Sequence, residues 1–88
     1  MINEKELSKT LNTLKKLIVK KNKDYGDDNV IELGEIGIMY RLEDKIIRLK
    51  NLLEKKQAPQ FESVADTYMD LAGYAILGLL LRKHKFKK

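Results

Sequence analysis

Arg41, Asp44, Lys45 and Arg48 recur at steps of three and four residues, and Asp66 and Asp70 follow four apart. At about 3.6 residues per turn, such steps fall on one face of a helix, so each segment carries a charged stripe beside its apolar one. Guanidinium groups match phosphate oxygens two at a time. Arg41 and Arg48 with Lys45 between them are therefore suited to clamp a di- or triphosphate or a phosphodiester. Asp44, Asp66 and Asp70, with Glu43 or Glu62 nearby, offer oxygen ligands for Mg²⁺, which would bridge phosphates and activate a water. A plainer arrangement uses the same side chains as a ladder of ion pairs, in which an exposed pair contributes only about 0–1 kcal/mol. Carboxylates brought together need a cation, and the arginines and lysine serve that purpose as well as a metal does.

A second group lies upstream, at Lys21, Asn22, Lys23, Asp24, Tyr25 and Gly26. Tyr25 can stack on a base, Lys21 and Lys23 can meet phosphates, and Asn22 and Asn29 carry both donors and acceptors for a base or ribose edge. The structural alternative is an ordinary helix terminus, with Tyr25 packed on the core edge and Gly26 as the cap.

Three helices must position these groups. Leu7, Leu11, Leu14 and Ile18, with Leu17 beside them, give the periodicity of an amphipathic helix over about 3–23. Gly26 supplies the stop, and Asp27, Asp28 and Asn29 read as loop. Ile38, Leu42, Ile46, Leu49 and Leu53 mark a second helix over about 34–55. Gly34 and Gly37 near its start each cost about 1 kcal/mol of helix propensity, which points to an irregular end or a close backbone approach. A short connection at Ala58, Pro59 and Gln60 implies an antiparallel hairpin that brings Arg48 near Asp66 and Asp44 near Asp70. The third helix, about 61–83, is apolar on most sides from Leu71 to Leu81. Those 11 residues are too short to cross a bilayer, which takes about 20. Two short neighbours cannot cover such a helix all round. Self-association is the economical answer, with Gly73 and Gly78 allowing close packing between subunits. The fold class is all-α: a three-helix antiparallel protomer in a helical homo-oligomer.

The 88 residues allow one domain with a thin core. The absence of cysteine excludes a disulfide framework and thiolate metal sites, and the single histidine, His84, sits in a basic tail. Glu4, Lys5 and Glu6 stand where a secretory signal needs an apolar run, so a cytoplasmic protein is expected. The net charge of +5 gathers in Lys15, Lys16, Lys20, Lys21 and Lys23 and in the tail of Arg82, Lys83, Lys85, Lys87 and Lys88. These runs suit a solvated helix face and a solubilising tail, with attraction to nucleic acid or a membrane surface as the functional alternatives.

The run Lys21-Asn22-Lys23-Asp24-Tyr25-Gly26, then Asn29, Gly34, Gly37, Arg41, Asp44-Lys45, Arg48-Leu49 and Asn51-Leu52, then Glu62-Ser63-Val64, Asp66-Thr67 and Asp70-Leu71-Ala72-Gly73-Tyr74 resembles the small phage-associated nucleotide modification associated domain. The likeness covers roughly 21–75. More distantly, Asp70-Leu71-Ala72-Gly73-Tyr74 is similar to the metal-binding helix of MazG-like all-α nucleoside triphosphate pyrophosphatases. That group assembles as helical oligomers and binds Mg²⁺ on acidic residues of adjacent helices. Its paired glutamates three apart are replaced here by Glu43-Asp44, and its Glu-x-x-Asp by Asp66 and Asp70. The resemblance implies a phage-type protein, in the host cytoplasm, that binds and sequesters a nucleotide or a nucleotide-derived immune signal of the cyclic oligonucleotide or ADP-ribose kind. Lys21, Asn22, Tyr25, Asn29, Arg41, Lys45 and Arg48 would bind the ligand, while Asp44, Asp66 and Asp70 would orient the arginines or carry Mg²⁺. A Mg²⁺-dependent pyrophosphohydrolase and a nucleic-acid-binding module stand as the alternatives.

Overall fold

The computed structural model describes residues 1–55 and 63–83, which form three helices and contain no strand. The expected connection at Ala58, Pro59 and Gln60, the helix opening at Phe61 and Glu62, and the tail with His84, Lys85, Lys87 and Lys88 lie outside the described residues.

Helix α1 spans Glu4–Tyr25. Asn3 caps it, its side-chain oxygen accepting from the Glu6 N–H at 3.1 Å, and Glu4 and Glu6 place negative charge at the positive end of the helix. It closes at Gly26, whose φ of 84° lies in the left-handed region and whose N–H donates to the Asn22 carbonyl at 2.6 Å. The expected stop is thus realised, two residues later than the periodicity suggested.

The expectation of a loop at Asp27, Asp28 and Asn29 is corrected. Helix α2 spans Asp27–Lys55, because Asp27 and Asp28 put two carboxylates in its first turn. The irregularity expected at the glycines falls on Gly34, where φ 67° and ψ 177° interrupt the helix and divide it into 27–33 and 35–55. A backbone of this kind is essentially reserved for glycine. Gly37 makes room of another sort. A Cβ there would stand 2.5 Å from Leu33 Cδ1, so the missing side chain lets Leu33 fold back across the kink.

Helix α3 spans Val64–Arg82. Its start is fixed by a capping box: Ser63 Oγ accepts from the Asp66 N–H at 2.9 Å, and Asp66 Oδ2 accepts from the Ser63 N–H at 3.4 Å. By length and composition α3 meets the requirement for a membrane-crossing helix, a test that core helices of bundles also pass. Here it carries Asp66 and Asp70 and packs against both other helices.

Helices α2 and α3 form the antiparallel hairpin. Glu35 pairs with Arg82 at 3.1 Å, Ile38 lies against Gly78, and Lys45 pairs with Asp70 at 2.8 Å, so partners descend α3 as they climb α2. The Glu35–Arg82 pair also joins the start of one helical stretch to the end of its neighbour, where each charge suits its helix dipole. Asp70 faces Lys45 directly, one position along from the expected Asp44. Gly73 and Gly78, expected at subunit contacts, have neighbours within the protomer. Gly73 faces Leu14 and Ile18 of α1, and Gly78 faces Ile38 of α2, all within one protomer.

The core is as thin as the length implies. Among the described residues, Leu14 and Ile38 are the buried apolar side chains, at 7% and 3% exposure. Thr67 is fully buried, with its hydroxyl donating to the Ser63 carbonyl at 2.9 Å. Large apolar side chains on all three helices, among them Leu11, Ile36, Ile47 and Leu79, remain more than half exposed.

Candidate functional site

Asp70 is the centre of the polar network. It sits on α3 with its side chain 20% exposed, and Lys45 of α2 and Lys21 of α1 approach its two oxygens at 2.8 and 3.5 Å. Partial burial pushes the Asp70 carboxyl up, but the hydrogen bond and charge of Lys45, joined by Lys21, outweigh burial and hold it below its ordinary value. It is therefore a carboxylate at neutral pH, and it orients two ammonium groups.

Beside it lies a cleft of about 360 Å³ between α1, the 27–33 stretch of α2 and α3. Leu17, Ile18, Val30, Leu33, Met69 and Leu77 make it apolar, while Lys21, Asn22, Asn29, Arg41, Asp70 and Tyr74 supply polar groups. An apolar cavity with a few converging polar groups is the usual form of a small-molecule site. Asn22 has a distinctive state. Its Nδ2 donates to Asp27 Oδ1, and since a carboxylate only accepts, the amide is fixed with Oδ1 turned the other way. That Oδ1 is buried and has no hydrogen-bond partner. A buried acceptor left in this state costs about 1–3 kcal/mol unless a donor reaches it.

A second cavity, a groove of about 600 Å³, is lined by Arg41, Asp44, Lys45, Ile47, Arg48, Asn51, Leu52 and Tyr74. Arg41 and Tyr74 belong to both cavities, so the apolar cleft and the basic groove adjoin at these two side chains. Lys45, which lines the groove, is bound to Asp70, which lines the cleft.

Of the residues chosen from sequence, Lys21, Asn22, Asn29, Arg41 and Asp70 line the cleft, and Arg41, Asp44, Lys45 and Arg48 line the groove. The Tyr25 side chain lies outside the described residues. Asp66 stands apart, exposed and engaged in the capping box. Among the described residues no three His, Cys, Asp or Glu side chains are grouped closely enough to share a metal; Asp66 is engaged in the cap and Asp70 by two lysines.

Sequence reasoning missed Tyr74, Val30, Leu33 and Met69 as lining residues, and Asp27 as the partner of Asn22. Tyr74 was within reach, being one turn from Asp70 on the same face. Val30 and Leu33 were hidden because they fall between the expected loop at 27–29 and the expected helix from about 34.

No curated protein and no solved structure matches the chain. The family model for nucleotide modification associated domain 1 does match, over residues 21–81, and so takes in the groove and all of the cleft except Leu17 and Ile18. From the cleft's Lys21 to the end of the apolar helix, this chain belongs to the nucleotide modification associated domain 1 family.

Proposed function

We propose that this protein binds a nucleotide or nucleotide-derived anion, with its flat, weakly polar end in the cleft and its phosphates in the groove. The observation that carries the reading is the Asn22 Oδ1, a buried acceptor without a donor beside a mostly apolar cleft. A nucleobase amino or ring N–H supplies what that oxygen lacks, and the base face suits the aliphatic walls. Arg41, where cleft and groove meet, would accept the first phosphate bidentately, with Arg48 and Lys45 further along the groove. Asp70 would hold Lys21 and Lys45 in place. Membership in a nucleotide-related family supports the same ligand class.

Binding without turnover is the form we favour, with Asp70 engaged by Lys45 and Lys21 as a positioning group. A small phage-borne protein of this kind, working in the host cytoplasm, would sequester a cyclic oligonucleotide or ADP-ribose-type signal of antiviral defence. The test is a thermal-shift and native mass-spectrometric screen of the purified chain. Its panel is mono-, di- and triphosphate nucleotides, cyclic di- and trinucleotides and ADP-ribose derivatives, each with and without Mg²⁺. A ligand at 100 times its dissociation constant stabilises the fold by about 2.7 kcal/mol, a clear shift for a domain of this size. Intact recovery of the ligand is the expected result. Conversion in the presence of Mg²⁺ would replace the binder by a hydrolase, and silence across the panel would overturn the reading.

A further inference from the structure

Helix α2 has three faces. Ile38 and Lys45 meet α3, and Arg41 and Arg48 line the groove. The third face is left exposed by the described residues. It carries Ile36, Met39, Tyr40, Ile46, Ile47 and Leu53, which are 42–66% exposed. Met39, Ile46 and Leu53, and likewise Tyr40 and Ile47, recur seven residues apart, with Ile36 one turn before them, which is the repeat of a packing stripe. Two exposed charges interrupt it: Glu43 and Lys50, of opposite sign and seven residues apart. Neither forms an ion pair among the described residues.

We infer that a second copy of this chain covers this stripe in antiparallel fashion, about a twofold axis between Ile46 and Ile47. That register sets Glu43 of each copy against Lys50 of the other. It also brings the two isoleucine pairs together at the centre and Tyr40 against Leu53 towards each end. Reading the same stripe in parallel would oppose Glu43 to Glu43 and Lys50 to Lys50, and like charges face to face disfavour it. With two buried apolar side chains among its described residues the protomer has the reason to pair, and the stripe has the self-complementary charge that an isologous contact requires.

Sedimentation equilibrium of the whole chain tests this. The expected result is a dimer, or an even-numbered assembly built from dimers. Glu43→Lys and Lys50→Glu, each examined alone, should weaken pairing by about tenfold or more, since each replaces two attractions per dimer by two repulsions. An equimolar mixture of the two variants should pair as tightly as the parent, because each then offers the charge the other lacks. Both side chains are exposed, and unchanged helicity by circular dichroism will show that the variants remain folded. A monomer across the micromolar range would overturn the inference, as would a dimer indifferent to both substitutions or a mixture that fails to recover.

Discussion

Lys45 Nζ stands 2.8 Å from Asp70 Oδ2 while Lys21 Nζ stands 3.5 Å from Oδ1, so one carboxylate on α3 ties the other two helices together. The Lys45 and Asp70 side chains are 23% and 20% exposed, whereas Lys21 is 55% exposed. The α2–α3 pair is therefore the stronger tie, and the reach from α1 is screened by water.

Asp70→Asn should destabilise the fold by about 1–2 kcal/mol at neutral pH, because it removes the carboxylate charge that faces the half-buried Lys45 across α2 and α3. The sign of the pH dependence follows from the lowered folded value. The stabilisation is present above the ordinary 3.8 and is lost as pH falls through the lower folded value. Denaturation curves of parent and variant should accordingly differ at pH 7 and converge in strong acid. A constant difference across that range would remove Asp70 from this role.

Arg41→Ala should weaken nucleotide binding by about tenfold to a hundredfold, the worth of a charge-assisted hydrogen bond. The side chain is exposed, so the melting temperature of the free protein should move little. Titration calorimetry with the ligand from the screen reads the first quantity, and a melt without ligand reads the second.

Asn22→Ala separates the base end from the phosphate end. Removing the unsatisfied Oδ1 relieves a cost in the free protein, while losing the Nδ2 bond leaves Asp27 to water, so the net stability change should stay within about 1 kcal/mol. Affinity should fall for every base that donates to Oδ1 but not for inorganic pyrophosphate. Equal loss for both ligands would place Asn22 outside the base contact.

Gly34→Ala should cost about 1–3 kcal/mol, since a Cβ is strained at φ 67° and ψ 177° even though nothing crowds the position. Gly37→Ala acts by a different route. It displaces Leu33 from its place over the kink, and the cleft wall with it. Thermal melts should show the larger loss at Gly34, and ligand titrations should show the effect of Gly37.

Ser63→Ala should cost about 1 kcal/mol by removing the acceptor for the Asp66 N–H at the start of α3. Chemical denaturation will read it, and ligand affinity should hold, because Ser63 lines neither cavity.

The helices were legible because their apolar spacing is regular: Leu7 to Ile18 and Ile38 to Leu53 admit no strand. The pairing of α2 with α3 was legible to within one residue, and Lys45 rather than Asp44 meets Asp70 because a single step around a helix turns a side chain by about 100°. The 27–33 stretch was not legible. It is a short polar run between two glycines, and its helical state rests on first-turn charge and on the Asn22–Asp27 bond, neither of which has a periodic signature. Asp66 has a structural role that its spacing from Asp70 does not announce: with Ser63 three residues earlier it completes the capping box of α3. The charged stripe of Arg41, Asp44, Lys45 and Arg48 lines one groove, while the apolar half of the cleft had no sequence signal apart from the core itself.

One wall of the cleft, carrying Asn29, Val30 and Leu33, is bounded at both ends by glycines with positive φ, Gly26 at 84° and Gly34 at 67°. The distance of that wall from α1 and α3 therefore responds to torsions at two joints as well as to the packing of Leu33 beside Gly37. Neither Gly26 nor Gly34 lines the cleft, so a change at either joint alters the aperture while every residue that a ligand would touch stays the same.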